Sequence, residues 1–189
     1  MNRRPLFTWL AAVAALAYLV VMTVAGALPQ QKQLVKFEAK GIMKVEPGSI
    51  DRVKIDVGSR SVTLRREGDT WKVEGGAPLA PETAKRVSMA VQFMNTAAPL
   101  RMLDAPELTG SNPREFGLEP PRVHGTLYRG NETVLGAAFG AHNPDDTAQY
   151  MGLDGRPELY LMSRFVGQEW EGVAAGAGLV PVSAGSSGR

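Results

Sequence analysis

Two histidines, at 124 and 142, and scattered carboxylates carry the widest chemical reach in this cysteine-free chain. His142-Asn143-Pro144-Asp145-Asp146 puts an imidazole and two carboxylates into one turn-rich stretch, a set able in principle to hold a divalent cation. Its spacing matches no recognised ligand pattern, and Asn-Pro-Asp-Asp is ordinary turn chemistry, so no metal is expected. His124 lies in an alternating strand with Val123 and Leu127, and reads as a surface or lightly buried polar residue rather than a base. Gly136 to Gly140 is glycine-rich but lacks the Gly-Lys-Ser/Thr of a phosphate loop, and close strand packing explains it. Ser61, Ser88 and Ser163 occur in no Gly-x-Ser-x-Gly turn, and there is no Ser-x-x-Lys pair. Glu169 and Glu171 stand two apart on a predicted helix and point different ways, which makes them poor acid/base partners. Without cysteine there is no disulfide framework and no thiolate chemistry, and two histidines exclude a multi-histidine cage. The expectation is a non-enzyme with no catalytic, cofactor-binding or metal residues.

The chain has 189 residues, enough for one ordinary domain with attachments. Its net charge of +2 resides in Arg3 and Arg4, and from Pro5 onward 19 basic residues balance 19 acidic ones. That balance gives no reason to expect a nucleic acid partner. Charge is nonetheless uneven: residues 30–66 hold nine Lys/Arg and four Asp/Glu, residues 67–189 ten and fifteen.

Residues 6–28 are uncharged throughout, and at about 1.5 Å per residue they match a hydrocarbon layer of roughly 30 Å. They are expected to form a transmembrane helix following a cytoplasmic N-terminus at 1–5. Leu6, Trp9, Leu16, Val20 and Leu28 are its anchor residues, with Trp9 at the interface and the lipid bilayer as partner. Ala25-Gly26-Ala27 has the form of a signal-peptide cleavage site, but the apolar run exceeds the usual core of about 7–15 residues. Arg3 and Arg4 close to the span favour N-inside, which in a bacterium means a single-pass inner-membrane protein with a periplasmic body. Residues 29–48 form a connector whose Lys32, Lys36, Lys40 and Lys44 recur every fourth residue. On a helix they would make a stripe for lipid head groups or an acidic partner; otherwise the segment is a solvated connector weakened as a helix by Gly41 and Pro47.

The body is expected over 49–171, with a flexible Gly/Ala/Ser tail over 172–189. Val53, Ile55 and Val57 alternate with Lys54 and Asp56, Val62 and Leu64 with Thr63 and Arg65, and Trp71 and Val73 with Lys72, giving three strands separated by Gly58-Ser59 and Gly68-Asp69. Pro81 and Glu82 open a helix whose Ala84, Val87, Val91 and Met94 recur at helical spacing, and Pro99 ends it. Residues 100–121 read as irregular, with prolines at 106, 113, 120 and 121. Strand character returns at 123–128, 133–139, 149–153 and 158–162, followed by a short helix at 164–171. The fold class is therefore α+β, with two antiparallel strand groups packed on a helix behind the transmembrane segment. Trp71 reads as core, Gly117 as a turn and Leu118 as a plug for the sheet, with Phe116 beside them.

The order of these elements, with Leu64-x6-Trp71-x-Val73 before the helix and Phe116-Gly117-Leu118-Glu119-Pro120 after it, resembles the bacterial family named domain of unknown function 4340. The similarity extends to the Gln149-Tyr150-Met151 and Glu158-Leu159-Tyr160-Leu161 strands and covers roughly residues 50–166. It implies an envelope accessory role, since similar domains are associated with ABC-2-type and gliding-motility-type transport systems and carry no established catalytic residues. Taken together, the sequence is expected to be a non-enzymatic accessory or assembly subunit of a membrane complex, with an integral-membrane protein as partner. The alternative is a membrane-tethered binding domain for a lipid head group, glycan or peptide.

Overall fold

The computed structural model describes residues 9, 13–22 and 40–179. The chain divides into two units, residues 1–38 and 39–189. In the first unit residue 9 and residues 13–22 are helical. Among the described residues no helix is long and apolar enough to cross a membrane. This corrects the transmembrane helix, the single-pass membrane character and the inner-membrane placement with a periplasmic body, which rested on the uncharged run at 6–28 and, for the orientation, on Arg3 and Arg4. Trp9, Leu16 and Val20 are exposed, while Leu6, Leu28, Lys32 and Lys36 lie outside the described residues.

The second unit is built on one sheet. Its strands are β1 (Arg52–Val57), β2 (Arg60–Glu67), β3 (Thr70–Val73), β4 (Arg101–Leu103), β5 (Val123–Arg129), β6 (Glu132–His142), β7 (Ala148–Leu153) and β8 (Leu159–Ser163), with helices α1 (Pro81–Thr96) and α2 (Arg164–Gly176). The order across the sheet is β3-β2-β1-β5-β6-β7-β8-β4, and every neighbouring pair is antiparallel.

The expected fold of two strand groups on one helix is thereby corrected. β1 pairs directly with β5, Val53 facing Leu127 and Ile55 facing Gly125, so the two groups are one continuous sheet. Alternation reports which face of a strand is buried but not which strand lies beside it. The sheet also carries two helices instead of one. The Trp170 ring of α2 stacks on Phe139 of β6 at 5.7 Å and lies so close over β5 that a Cβ on Gly125 would stand 2.4 Å from it. On α1, Val87, Ala90, Val91 and Met94 are buried in the same core as Val53, Ile55 and Leu64. Helix α2 continues through Gly172, the expected start of the tail, because Val173 and Ala174 extend the apolar stripe begun by Val166 and Trp170.

Segments outside the regular elements complete the layers. Gly41 and Met43 donate their N–H groups to the Asn95 and Met94 carbonyls at the end of α1, both at 2.8 Å, and Asn95 Nδ2 returns to the Met43 and Val45 carbonyls at 3.1 Å. This brings Met43 into the core. Residues 104–122 pass over the opposite face of the sheet, at its β6-β7-β8 end, where Phe116 meets Tyr150 edge-to-face at 5.0 Å.

Candidate functional site

His142, at the end of β6, sets Nδ1 2.9 Å from Asp146 and Nε2 3.9 Å from Glu171 of α2. Glu171 accepts from Arg122 at 2.7 and 3.1 Å and from Gln149 Nε2 at 3.1 Å. Asp146, in left-handed backbone at φ 58°, is also bonded to Arg164. Two carboxylates thus face two guanidinium groups around one imidazole. Burial alone would push the Glu171 carboxyl up, but the bonds and charge from Arg122, with help from Gln149 and His142, outweigh it and hold the group below the ordinary carboxylate value. The hydrogen bond to Glu171 in turn raises Arg122 above its ordinary value. A general base must present its free nitrogen to a substrate. Here Nε2 is buried and without a hydrogen-bond partner, turned toward Glu171. The cluster binds the β6–β7 loop to α2; among the described residues no group of three or more His, Asp or Glu is arranged to hold a metal ion.

His124 lies on the other face of the sheet, with Nε2 2.9 Å from Asp154 and Nδ1 3.7 Å from Asp56. Asp56 also takes Lys54 at 2.9 Å, and that hydrogen bond is the main reason the ammonium is held more firmly charged than usual. Ser88 accepts from Trp71 Nε1 at 3.0 Å and donates to the Ala84 carbonyl; Ser61 and Ser163 stand in strands β2 and β8. Glu169 pairs with Arg86 at 3.2 Å, so it diverges from Glu171. The glycines of β6 make room for crossing chain: a Cβ on Gly140 would lie 2.2 Å from the Phe116 carbonyl oxygen, and one on Gly136 1.9 Å from an Asp154 oxygen.

Trp71 is fully buried, and the Arg66 guanidinium lies 4.7 Å from its ring centroid. Gly117 turns the chain at φ 66°, where a Cβ would stand 2.6 Å from the Ala141 nitrogen. This turn sets Leu118 against Gly140 and Gly152. Lys40 is exposed and Lys44 donates to the Gly41 carbonyl at 2.8 Å; at these two lysines the chain is bends and irregular backbone, so no helical stripe forms there. Nothing in the sequence marks Arg122 as the partner of Glu171 or Arg164 as the partner of Asp146. Gln149 left a weak signal, since it alternates with Tyr150 on the inward-facing set that holds Met151 and Leu153.

The two edges of the sheet differ. Beyond β3 the chain folds back, Val73 N–H reaching the Ala77 carbonyl at 3.3 Å and Lys72 bridging to Pro78, so the edge is covered and ends in a residue with no N–H. Among the described residues no strand follows beyond β4, which leaves it an edge strand with one row of backbone N–H and C=O groups facing away from β8. At β4 stand Leu100, 62% exposed, and Met102, 53%; Phe165 of α2, 46% exposed, meets Phe93 of α1 edge-to-face at 5.0 Å, and among the described residues these three are the large apolar residues left open in this unit. Met102 pairs with the buried Tyr160, so it shares the helix-covered face, while Leu103 pairs with Leu159 on the other. Leu159 in turn lines a cavity of about 200 Å³ with Leu108, Ser111, Pro113, Phe116 and Pro157. The β4 edge and this adjoining cavity form the candidate interface, which the sequence hid by reading as irregular from residue 100.

The fold is thus an eight-stranded antiparallel sheet with two helices on one face and an irregular segment over part of the other. No family model, curated protein or solved structure matches the chain.

Proposed function

We propose that the folded body is a non-enzymatic accessory or assembly subunit that docks on another protein through the β4 edge. The difference between the two edges carries this reading: β3 is covered by the chain's own return, whereas among the described residues β4 has no strand beyond it and carries the exposed Leu100 and Met102. Exposed large apolar side chains grouped beside unpaired backbone are a feature of interaction surfaces. The engagement of both histidines with carboxylates inside the molecule supports a binding role over catalysis. The resemblance to the domain of unknown function 4340 family suggests an integral-membrane component of an ABC-2-type transport assembly as the partner. The test is purification of the full chain from its native source beside a Leu100→Ser/Met102→Glu variant and a Lys72→Glu variant at the covered edge. The reading expects a co-purifying protein that is lost with the first variant and kept with the second, at unchanged melting temperature. Equal recovery with both would overturn it.

A further inference from the structure

We propose that His142 is a proton-operated latch: its imidazolium ties the β6–β7 loop to α2, and loss of the proton lets the loop part from the helix.

The surroundings of the two ring nitrogens lead to it. Nδ1 lies 2.9 Å from Asp146, and an ionised carboxylate can only accept, so this nitrogen carries a proton. Nε2 faces the Glu171 carboxylate at 3.9 Å, buried and without a hydrogen-bond partner. A neutral ring has one proton for its two nitrogens, and either tautomer turns a lone pair toward one of the carboxylates. The imidazolium alone presents an N–H to each.

The charges set against the ring agree with a proton there. Asp146 belongs to the ring's own loop and is bonded to Arg164, the first residue of α2. Glu171 of α2 is bonded to Arg122, which precedes β5. From β7 the register partner of His142 is Gln149, neutral, fully buried and also bonded to Glu171. The segment that crosses β6 meets Gly140 and Ala141 with the uncharged Gly117 and Leu118. Two guanidinium groups balance two carboxylates, so the proton on the ring is not needed for neutrality; it supplies the donor missing between loop and helix. Glu171 is held below the ordinary carboxylate value and is therefore still charged in the range where an imidazole gains its proton.

The part that the latch releases is a closed turn. Asn143 Oδ1 accepts the N–H groups of Thr147 and Ala148, both at 2.9 Å, and the Asp146 N–H reaches the Asn143 carbonyl at 2.9 Å, so the turn shifts as a body. One backbone bond, from the Arg164 N–H to the Thr147 carbonyl at 3.1 Å, crosses from the start of α2 to the turn. Asp146 is held at φ 58°, a left-handed backbone that carries a cost for a residue with a Cβ, and its bonds to His142 and Arg164 offset that cost.

The experiment compares the isotope-labelled full chain with its His142→Gln variant and with His124→Gln, which alters the other face of the sheet. Amide hydrogen exchange is read at Arg164, whose bond to Thr147 crosses the latch, at about pH 5.5 and about pH 8, on either side of the imidazole charge change. Taking the ratio of wild-type to His142→Gln protection at each pH removes the intrinsic pH dependence of exchange. The proposal expects this ratio to be at least about fivefold larger at the lower pH, with the ring nitrogen signals of His142 showing two protons there and one, on Nδ1, at the higher pH. The His124→Gln chain should keep the wild-type change. A ratio that is equal at both pH values, or larger at the higher one, would overturn the latch, as would a His142 ring that holds one charge state throughout. Loss of the change in His124→Gln would overturn its assignment to His142. Should His142→Gln fail to fold, the wild-type chain decides alone: the Arg164 and Glu171 amide signals are expected to titrate with the same midpoint as the His142 ring, and flat signals or a different midpoint would overturn the proposal.

Discussion

One sheet ends in two unlike edges. At β3 the chain turns after Val73, returns along its own strand through Ala77 and Pro78, and is fastened underneath by Trp71, which is wholly buried and bonded to Ser88 of α1. At β4 three residues pair, among the described residues, with β8 alone, and Leu100 and Met102 beside the edge are apolar and exposed. An edge that had only to avoid aggregation would be finished as β3 is. The difference teaches that residues near β3 hold the fold, whereas residues at β4 contribute little to it and are available for a partner.

That contrast orders the expected effects of substitution. Trp71→Ala removes a buried indole and its hydrogen bond, and should cost about 3–5 kcal/mol of unfolding free energy; an unchanged denaturation midpoint would detach the β3 edge from the core. Gly117→Ala forces a side chain into left-handed backbone against Ala141, with an expected cost of about 1–3 kcal/mol by the same denaturation measurement. Glu171→Gln leaves Arg122 without its counter-charge in a partly exposed setting, for which about 1–2 kcal/mol is expected at neutral pH.

The pH dependence follows from the same carboxyl. Glu171 is held below its ordinary value in the folded chain, so the unfolded chain binds its proton first as pH falls. Its stabilisation is complete above the unfolded value of about 4.3 and is lost as pH drops through the lower folded value. A stability profile of Glu171→Gln should therefore be flatter than the wild type on the acid side, and parallel profiles would show that the Arg122 pairing does not contribute. The smallest effect on stability is expected at the open edge. Met102→Glu should change the unfolding free energy by no more than about 0.5 kcal/mol while abolishing co-purification of the partner. A large destabilisation there would erase the contrast between the edges.

Much of the sheet was legible in the chain because its strands alternate cleanly. Val53, Ile55 and Val57 are buried while Lys54 and Asp56 are not, and α1 starts at Pro81, where proline suits a first turn. Three things were not legible, each for a physical reason. Strand pairing depends on contacts distant in sequence, so the β1–β5 junction that makes one sheet of two groups left no local mark. An uncharged run measures composition, and on that residues 6–28 read as a span, whereas among the described residues no helix is long and apolar enough to cross a membrane. β4 was hidden because three residues between Pro99 and a proline-rich stretch are too few for a period to show. The candidate interface was hidden with it. Of the site chemistry, the proximity of His142 to Asp146 could be read from their spacing, whereas its second carboxylate and both arginines come from elements distant in sequence.

The most direct test of the central claim is site-specific photo-cross-linking in the native cell, with the reactive group placed in turn at position 102 on the open edge and at position 72 on the covered one. The account predicts a discrete conjugate with one partner protein from position 102 and none from position 72. Conjugates of equal yield from both, or from position 72 alone, would contradict it.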